Sequence, residues 1–203
     1  MTTILRQILN GLQSGSIYAL IALGYSMVYG IIMLLNFAHG DIIMVGAYMA
    51  WLCMVRFALS PVLAVIVAVV SCTVLGMLIE KAAYTPLRSS PRLSLLITAI
   101  GVSYFLENVA QLIFGADSKT VPAFFSASNI KVGDLIISSN AVVTIAVTAV
   151  SMILLTLLVQ KTKMGKAMRA VSEDMGAAQL MGISINRTIS FTFAVGSALA
   201  GIG

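Results

Sequence analysis

One short stretch holds the groups best suited to chemistry. Asn36-Phe37-Ala38-His39-Gly40-Asp41 joins two long apolar runs and contains the single histidine of the chain. An amide, an imidazole and a carboxylate within six positions can cap helix ends, bind a polar ligand or relay a proton. A second pair, Glu107-Asn108, lies inside the apolar run "GVSYFLENVAQLIF". An acidic pair, Glu173-Asp174, sits between apolar runs in "KTKMGKAMRAVSEDMGAAQLMGISINR". Cys53 and Cys72 both fall in apolar stretches with no CxxC or Cys/His cluster, which reads as two buried, unreactive thiols and no metal site.

What must position these groups follows from composition. Of 203 residues, 60% are hydrophobic and 9% charged, and the mean hydropathy is +1.04; soluble domains carry roughly a quarter charged residues. The chain is an integral membrane protein. Its net charge of +5 is no nucleic-acid signal, because the basic residues occupy short segments between apolar runs. The N-terminal "MTTILRQILNG" has no basic region followed by a small-residue cleavage site, so the first apolar run is expected to be a retained span.

Apolar runs appear near 8–35, 40–57, 61–79, 93–114, 137–160 and from 188 onward. About 22 residues at 1.5 Å each span roughly 33 Å, enough for a hydrocarbon core of about 30 Å. The last run reaches Gly203 before it is long enough to cross comfortably, so the chain is expected to be truncated. The fold class expected is an all-α, polytopic transmembrane bundle.

Orientation follows from charge. Eight of the twelve basic residues lie in two connectors, Lys81, Arg88 and Arg92 in one, Lys161, Lys163, Lys166, Arg169 and Arg187 in the other. Both are expected to face the cytoplasm. The connector from Gly115 to Asp134 balances Asp117 and Asp134 against Lys119 and Lys131, as an outward loop can. A simple inside turn at "NFAHGD" puts the N-terminus outside, and a re-entrant break puts it inside; charge alone leaves both open.

On the first span, Gly11, Gly15, Tyr18, Ala22, Tyr25 and Tyr29 share one face, and Leu20, Leu23, Met27 and Ile31 the other. The first face is expected to meet protein and the second lipid, with Gly11-x-x-x-Gly15 allowing close helix approach. In the second basic connector Ser172 is the expected N-cap, with Glu173 and Asp174 in the first turn and Gly182 ending a helix of about two and a half turns. Ala177 and Ala178 would offer a flat surface, and Met175, Leu180, Met181 and Ile183 apolar contacts. A partner protein and the membrane surface are both consistent with such a helix.

Glu173, Asp174, Ala177, Ala178 and Gly182 look like the "EAA" loop of bacterial ABC importer permeases. "GSIYALIALGYSMVYGIIMLLNFAHGD", "MGKAMRAVSED" and "LMGISINR" resemble the LivH-type permeases of branched-chain amino acid ABC importers, through nearly the whole chain. The resemblance implies one transmembrane permease domain over 1–203, incomplete because such permeases extend further, with a cytoplasmic coupling helix within 161–187. It implies a multi-pass protein of the bacterial inner membrane, itself not an enzyme. Its partners would be ABC ATPase subunits that use the ATP, a second permease subunit, a periplasmic binding protein and membrane lipid. No cofactor is implied for this chain.

The polar residues then have two readings each. Asn36, Gly40 and Asp41 can shape a bend, through a cap, a turn and a favourable helix-dipole position. Alternatively the break, with His39, lines the translocation path. A carboxylate in lipid costs roughly 2.5 to 3.5 kcal/mol on insertion scales, so Glu107 is expected either to bond a neighbouring helix or to meet a substrate amine. In the outward loop Pro122, Phe124 and Phe125 can meet a binding protein or the lipid interface. Urea or short amides are the rival substrates within the family. An ion-gradient transporter is disfavoured by the lack of paired intramembrane charges, and a membrane scaffold leaves the coupling loop unexplained.

Overall fold

The computed structural model describes residues 2–33, 36–88, 90–121, 130–132 and 135–203. The elements in chain order are α1 (Thr2–Ile32), α2 (His39–Trp51), α3 (Pro61–Ile79), α4 (Arg92–Phe114), a short antiparallel ribbon of β1 (Ile130–Val132) and β2 (Leu135–Ile137), α5 (Ser139–Lys161), α6 (Lys163–Glu173), α7 (Met175–Leu180) and α8 (Ile185–Ile202). Pro122, Phe124, Phe125 and Asp134 lie outside the described residues.

Two helices run on into π-helical turns. Leu52–Arg56 extends α2, and Glu80–Tyr84 followed by Thr85–Leu87 extends α3. Among the described residues, four helical segments are long and apolar enough to cross a membrane: Ile4–Ile32, Pro61–Leu87, Leu93–Phe114 and Ser139–Lys161. Four of the six expected runs are thus met closely, whereas the runs 40–57 and 188 onward form α2, with 13 residues before its π turn, and α8, with 18, which are not among the four.

Helix direction follows from the contacts. Gly24 of α1 lies against Gly196 of α8, while Leu20 and Ile21 lie against Gly203, so α1 and α8 are antiparallel. The Thr148 hydroxyl donates to the Ser16 carbonyl at 3.4 Å, in keeping with α5 lying alongside α1. The chain therefore leaves α1 at the same end as the basic segments that follow α3 and α5. Of the two orientations open to the sequence, the packing selects the one with the start of α1 opposite those segments.

The face of α1 that packs is not the expected one. Ser16, Leu20, Gly24, Val28 and Ile31, spaced by three or four, are buried, whereas Gly11, Gly15, Ala22 and Tyr29 are exposed and Tyr18 is 71% exposed. A Cβ on Gly11 or Gly15 would meet nothing within 4 Å, so that pair makes no close approach among the described residues. Shape decides the packing: Gly24 leaves a notch for the His39 ring and lets the Gly196 backbone come close. The aliphatic residues beside that notch are buried with it.

The core lies where α1, α2, α3 and α8 meet, around Val28, Ile42, Cys72, Ile189 and Phe193. Full burial of such side chains contributes about 1.5 to 3 kcal/mol each. Small residues bring α3 and α8 together at Gly76–Ser197 and at Gly201–Val69. Cys53 and Cys72 are both free and buried, and the Cys72 thiol donates to the Ile42 carbonyl at 3.3 Å.

Candidate functional site

α1 ends at Ile32, and Met33 takes a left-handed conformation (φ 56°) with its N–H donating to the Tyr29 carbonyl at 2.8 Å. Few side chains other than Gly and Asn adopt that region readily. Gly40 was the expected turn residue, but it lies inside the first turn of α2 and is exposed. The turn conformation belongs to Met33 because the helix stops there, several residues before α2 begins.

Asn36 closes the break without capping a helix by its side chain. Its carbonyl accepts from the His39 N–H at 3.1 Å, and its side-chain oxygen accepts from the Tyr84 hydroxyl at 2.9 Å. Asp41 sits in the first turn of α2, where the dipole favours a carboxylate, as expected. Asn36, His39 and Asp41 are all buried. Asn36 Nδ2, His39 Nε2 and Asp41 Oδ2 have no hydrogen-bond partner among the described residues.

These groups diverge. His39 turns to α1, edge-on to Tyr25 with ring centroids 6.0 Å apart. Asp41 turns to α4, opposite Ser103 and Glu107. Ser103 is eleven residues from either end of α4, about 17 Å at 1.5 Å per residue, so the first turn of α2 lies level with the middle of α4. Polar groups at that level of a membrane-crossing helix are tolerated where protein surrounds them. Glu107 itself is exposed on α4, and the neighbouring Asn108 amide donates to its own helix, to Tyr104 O at 2.7 Å.

Between α1, α2, α3, α5 and the end of α8, on the side away from the basic segments, lies a cavity of about 630 Å³. Ile17, Ile43, Val65 and Val147 form apolar walls, and Asn140 and Thr144 bring polar atoms. Asn140 Oδ1 is buried without a hydrogen-bond partner among the described residues. A largely apolar space with few polar groups suits a small ligand with an aliphatic part and a polar head.

At the opposite end, α5 turns sharply into α6. The Thr162 hydroxyl caps α6 by accepting from the Gly165 N–H at 3.0 Å. Gly165, Met168 and Val171 are buried while Lys163, Lys166, Arg169 and Glu173 point outward, an amphipathic helix that the sequence reading passed over. Its three- and four-residue apolar spacing was the available signal.

α7 begins two residues later than expected. Ser172 lies within α6 and donates to the Arg169 carbonyl, whereas Asp174, extended at φ −153°, accepts from the Ala177 N–H at 3.0 Å and is the N-cap. Glu173 ends α6, and α7 is only six residues long. Gly182 is left-handed (φ 81°), as a helix-ending glycine should be. Ala178 is buried against the chain's own core, while Ala177 is exposed and Leu180 and Met181 are 90% and 83% exposed. The outward surface of this loop is thus Ala177, Leu180 and Met181, not the alanine pair.

A buried carboxylate absent from the sequence reading joins these regions. Glu80, 2% exposed, accepts from the Ser190 hydroxyl of α8 at 2.7 Å and from Thr85 at 2.8 Å, and forms an ion pair with Arg88. Arg88 also donates to Asn186 at the start of α8.

Residues 7–203 match the family described as the permease component of branched-chain amino acid transport systems. The permease protein BraD of a high-affinity branched-chain amino acid transport system in Pseudomonas aeruginosa is 38% identical, over 98% of this chain and 68% of its own length. The corresponding LivH protein of Salmonella typhimurium is also 38% identical, with the same coverage. A probable branched-chain amino acid transport permease of Methanocaldococcus jannaschii is 31% identical, over 92% of this chain and 61% of its own length. No solved structure matches the chain.

Proposed function

This chain belongs to the family of permease components of branched-chain amino acid transport systems, and from that membership we propose that it imports leucine, isoleucine or valine in the bacterial inner membrane. ATP is hydrolysed by separate ATPase subunits. A periplasmic binding protein delivers the substrate, and a second permease subunit completes the membrane part. No cofactor is held by this chain.

The observation that carries the reading is the 38% identity to the Pseudomonas aeruginosa permease over nearly the whole chain. Two features agree with it. The loop between α6 and α8 presents Leu180 and Met181 beside exposed Glu173 and Asp174, an apolar patch with an acidic rim suited to a cleft on an ATPase. The cavity behind Ile17 and Val65 has the apolar walls an aliphatic side chain would meet.

Transport follows from differential affinity for two states. ATP binding draws the ATPases together and shifts α7, held by its Asp174 cap and its Gly182 turn. The spans then repack, closing one side of the path and opening the other. Asn36 lies in the helix break beside that path, His39, Gly40 and Asp41 form the first turn of α2 that follows it, and Glu107 lies on α4 opposite Asp41.

The test is reconstitution of the chain with its ATPases, second permease and binding protein in proteoliposomes. ATP-dependent uptake of leucine in preference to urea is the expected result. Preference for urea or a short amide would move the substrate to the family's other branch, and uptake that ignores ATP but collapses with an ion gradient would overturn the reading.

A further inference from the structure

The Glu80–Tyr84 π turn touches both ends of the proposed machinery. On one side Glu80 accepts from Ser190, and Arg88, its ion-pair partner, donates to Asn186; both partners lie in the first turns of α8. On the other side the Tyr84 hydroxyl donates to Asn36 in the α1–α2 break, and the Tyr84 ring packs on Phe193 at 5.4 Å. We propose that this turn links displacement of α7 to the α1–α2 break, with Glu80 and Tyr84 as positioning residues for transport. The proposal rests on the reading of the chain as an ATP-coupled permease.

The physical case starts at α7. Ala178 is buried, and its carbonyl accepts from the Ile183 N–H at 3.0 Å, so α7 is folded back on the turn that leads directly into α8. A push on α7 therefore reaches Asn186 and Ser190 with little slack. Ser190 holds Glu80 directly and Asn186 holds its ion-pair partner Arg88, and a buried carboxylate resists separation from its donors because an unpaired charge in that setting is strongly unfavourable. The start of α8 and the π turn move together.

Glu80 and Tyr84 are four positions apart in a turn whose bonding is wider than an α-helix, as the Thr85 N–H to Glu80 carbonyl bond shows. Single π turns recur at functional sites, where the helix can rewind locally. Rewinding here would turn Tyr84 relative to Glu80 and load or release the bond to Asn36. Asn36 in turn holds the first N–H of α2 through its carbonyl. The path thus ends on the segment that carries His39 and Asp41.

The experiment uses the assembled transporter in proteoliposomes and three variants that each change little volume: Tyr84→Phe, Ser190→Ala and the conservative Ser190→Thr. ATP hydrolysis, uptake per ATP hydrolysed and melting temperature are read together. Uptake per ATP is expected to fall about 2- to 30-fold in Tyr84→Phe and Ser190→Ala, with hydrolysis and melting temperature retained. Ser190→Thr should restore it, and the double variant should lose less than the product of the two single losses, because both sit on one route.

Unchanged uptake per ATP in the two single variants overturns the proposal. So does a loss that merely tracks the amount of folded transporter. Both results would leave ATP-coupled transport by the wild type standing, whereas wild-type uptake independent of ATP would remove the functional reading and the proposal with it.

Discussion

Gly76 and Ser197 meet so closely that a Cβ on Gly76 would lie 1.8 Å from the Ser197 hydroxyl oxygen. The same kind of contact recurs at Gly46, where a Cβ would lie 2.8 Å from Cys72 Sγ, and at Gly201, 2.8 Å from the Val69 Cα. Apolar surface gives helices little reason to associate in lipid, so close backbone approach of this sort holds such bundles together.

Gly76→Ala is accordingly expected to destabilise the protein by about 1 to 3 kcal/mol through overpacking. Gly11→Ala and Gly15→Ala, which meet nothing within 4 Å, should be near neutral. Thermal unfolding in mild detergent separates them; equal losses at Gly11 and Gly76 would mean that the packing of α1 has been misassigned.

Sidedness is a second expectation. A cysteine introduced at Thr2, ahead of the membrane-crossing segment Ile4–Ile32, should react with an impermeant maleimide added outside the cell, and one at exposed Gln179 only from the inside. The native Cys53 and Cys72, both buried, should stay unlabelled until the protein is unfolded. Labelling of both introduced sites from one side would contradict the antiparallel arrangement of α1 and α8.

The α7 loop separates docking from folding. Leu180→Glu should leave the melting temperature near wild type yet abolish retention of the ATPase on purification, since Leu180 is 90% exposed. Ala178→Glu buries a charge and should lower the stability of the chain itself by several kcal/mol. Asp174→Ala removes the cap bond to Ala177 and should cost about 1 kcal/mol, weakening ATPase retention without eliminating it. Full ATPase retention by Leu180→Glu would sink the docking assignment.

For the cavity, Val143→Trp is the informative change. Val143 lines it from α5, and an indole there would occupy much of the space. Uptake should drop at least about tenfold, roughly 1.4 kcal/mol, while the ATPase remains bound and active. Uptake at the wild-type rate would place the path elsewhere.

The extent of the sequence's legibility differs by feature. Residues 61–79 and 93–114 read from hydropathy correspond to Pro61–Ile79 and Arg92–Phe114, because a span needs a long apolar run and little else. The packing face of α1 was misread because residue type is a poor guide to it: the Gly24 notch and the His39 ring that fills it are brought together only by the fold. Ser172 and Asp174 are both good caps, and the choice between them depended on which residue became extended. Asn36, His39 and Asp41 stood out as polar groups in an apolar setting, but their divergence toward Tyr84, Tyr25 and α4 was not local information. Glu80 was least visible of all, since its donor Ser190 lies 110 positions away and its own neighbours look like an ordinary span end.

The glycine contacts of α3 with α8 and of α1 with α8 carry a mechanical consequence. Where backbone rests on backbone there are no long side chains to bend, so these three helices have little compliance and respond to load as one stiff wedge. α4 presents Leu93, Ile97, Tyr104, Phe105 and Leu112 to its surroundings and, among the described residues, lacks such seams. Strain introduced at the basic end is then borne at the wedge's edges, in the chain reversal after α1 and in the π turns, and the opening and closing of a passage is a hinge movement around a body that keeps its shape.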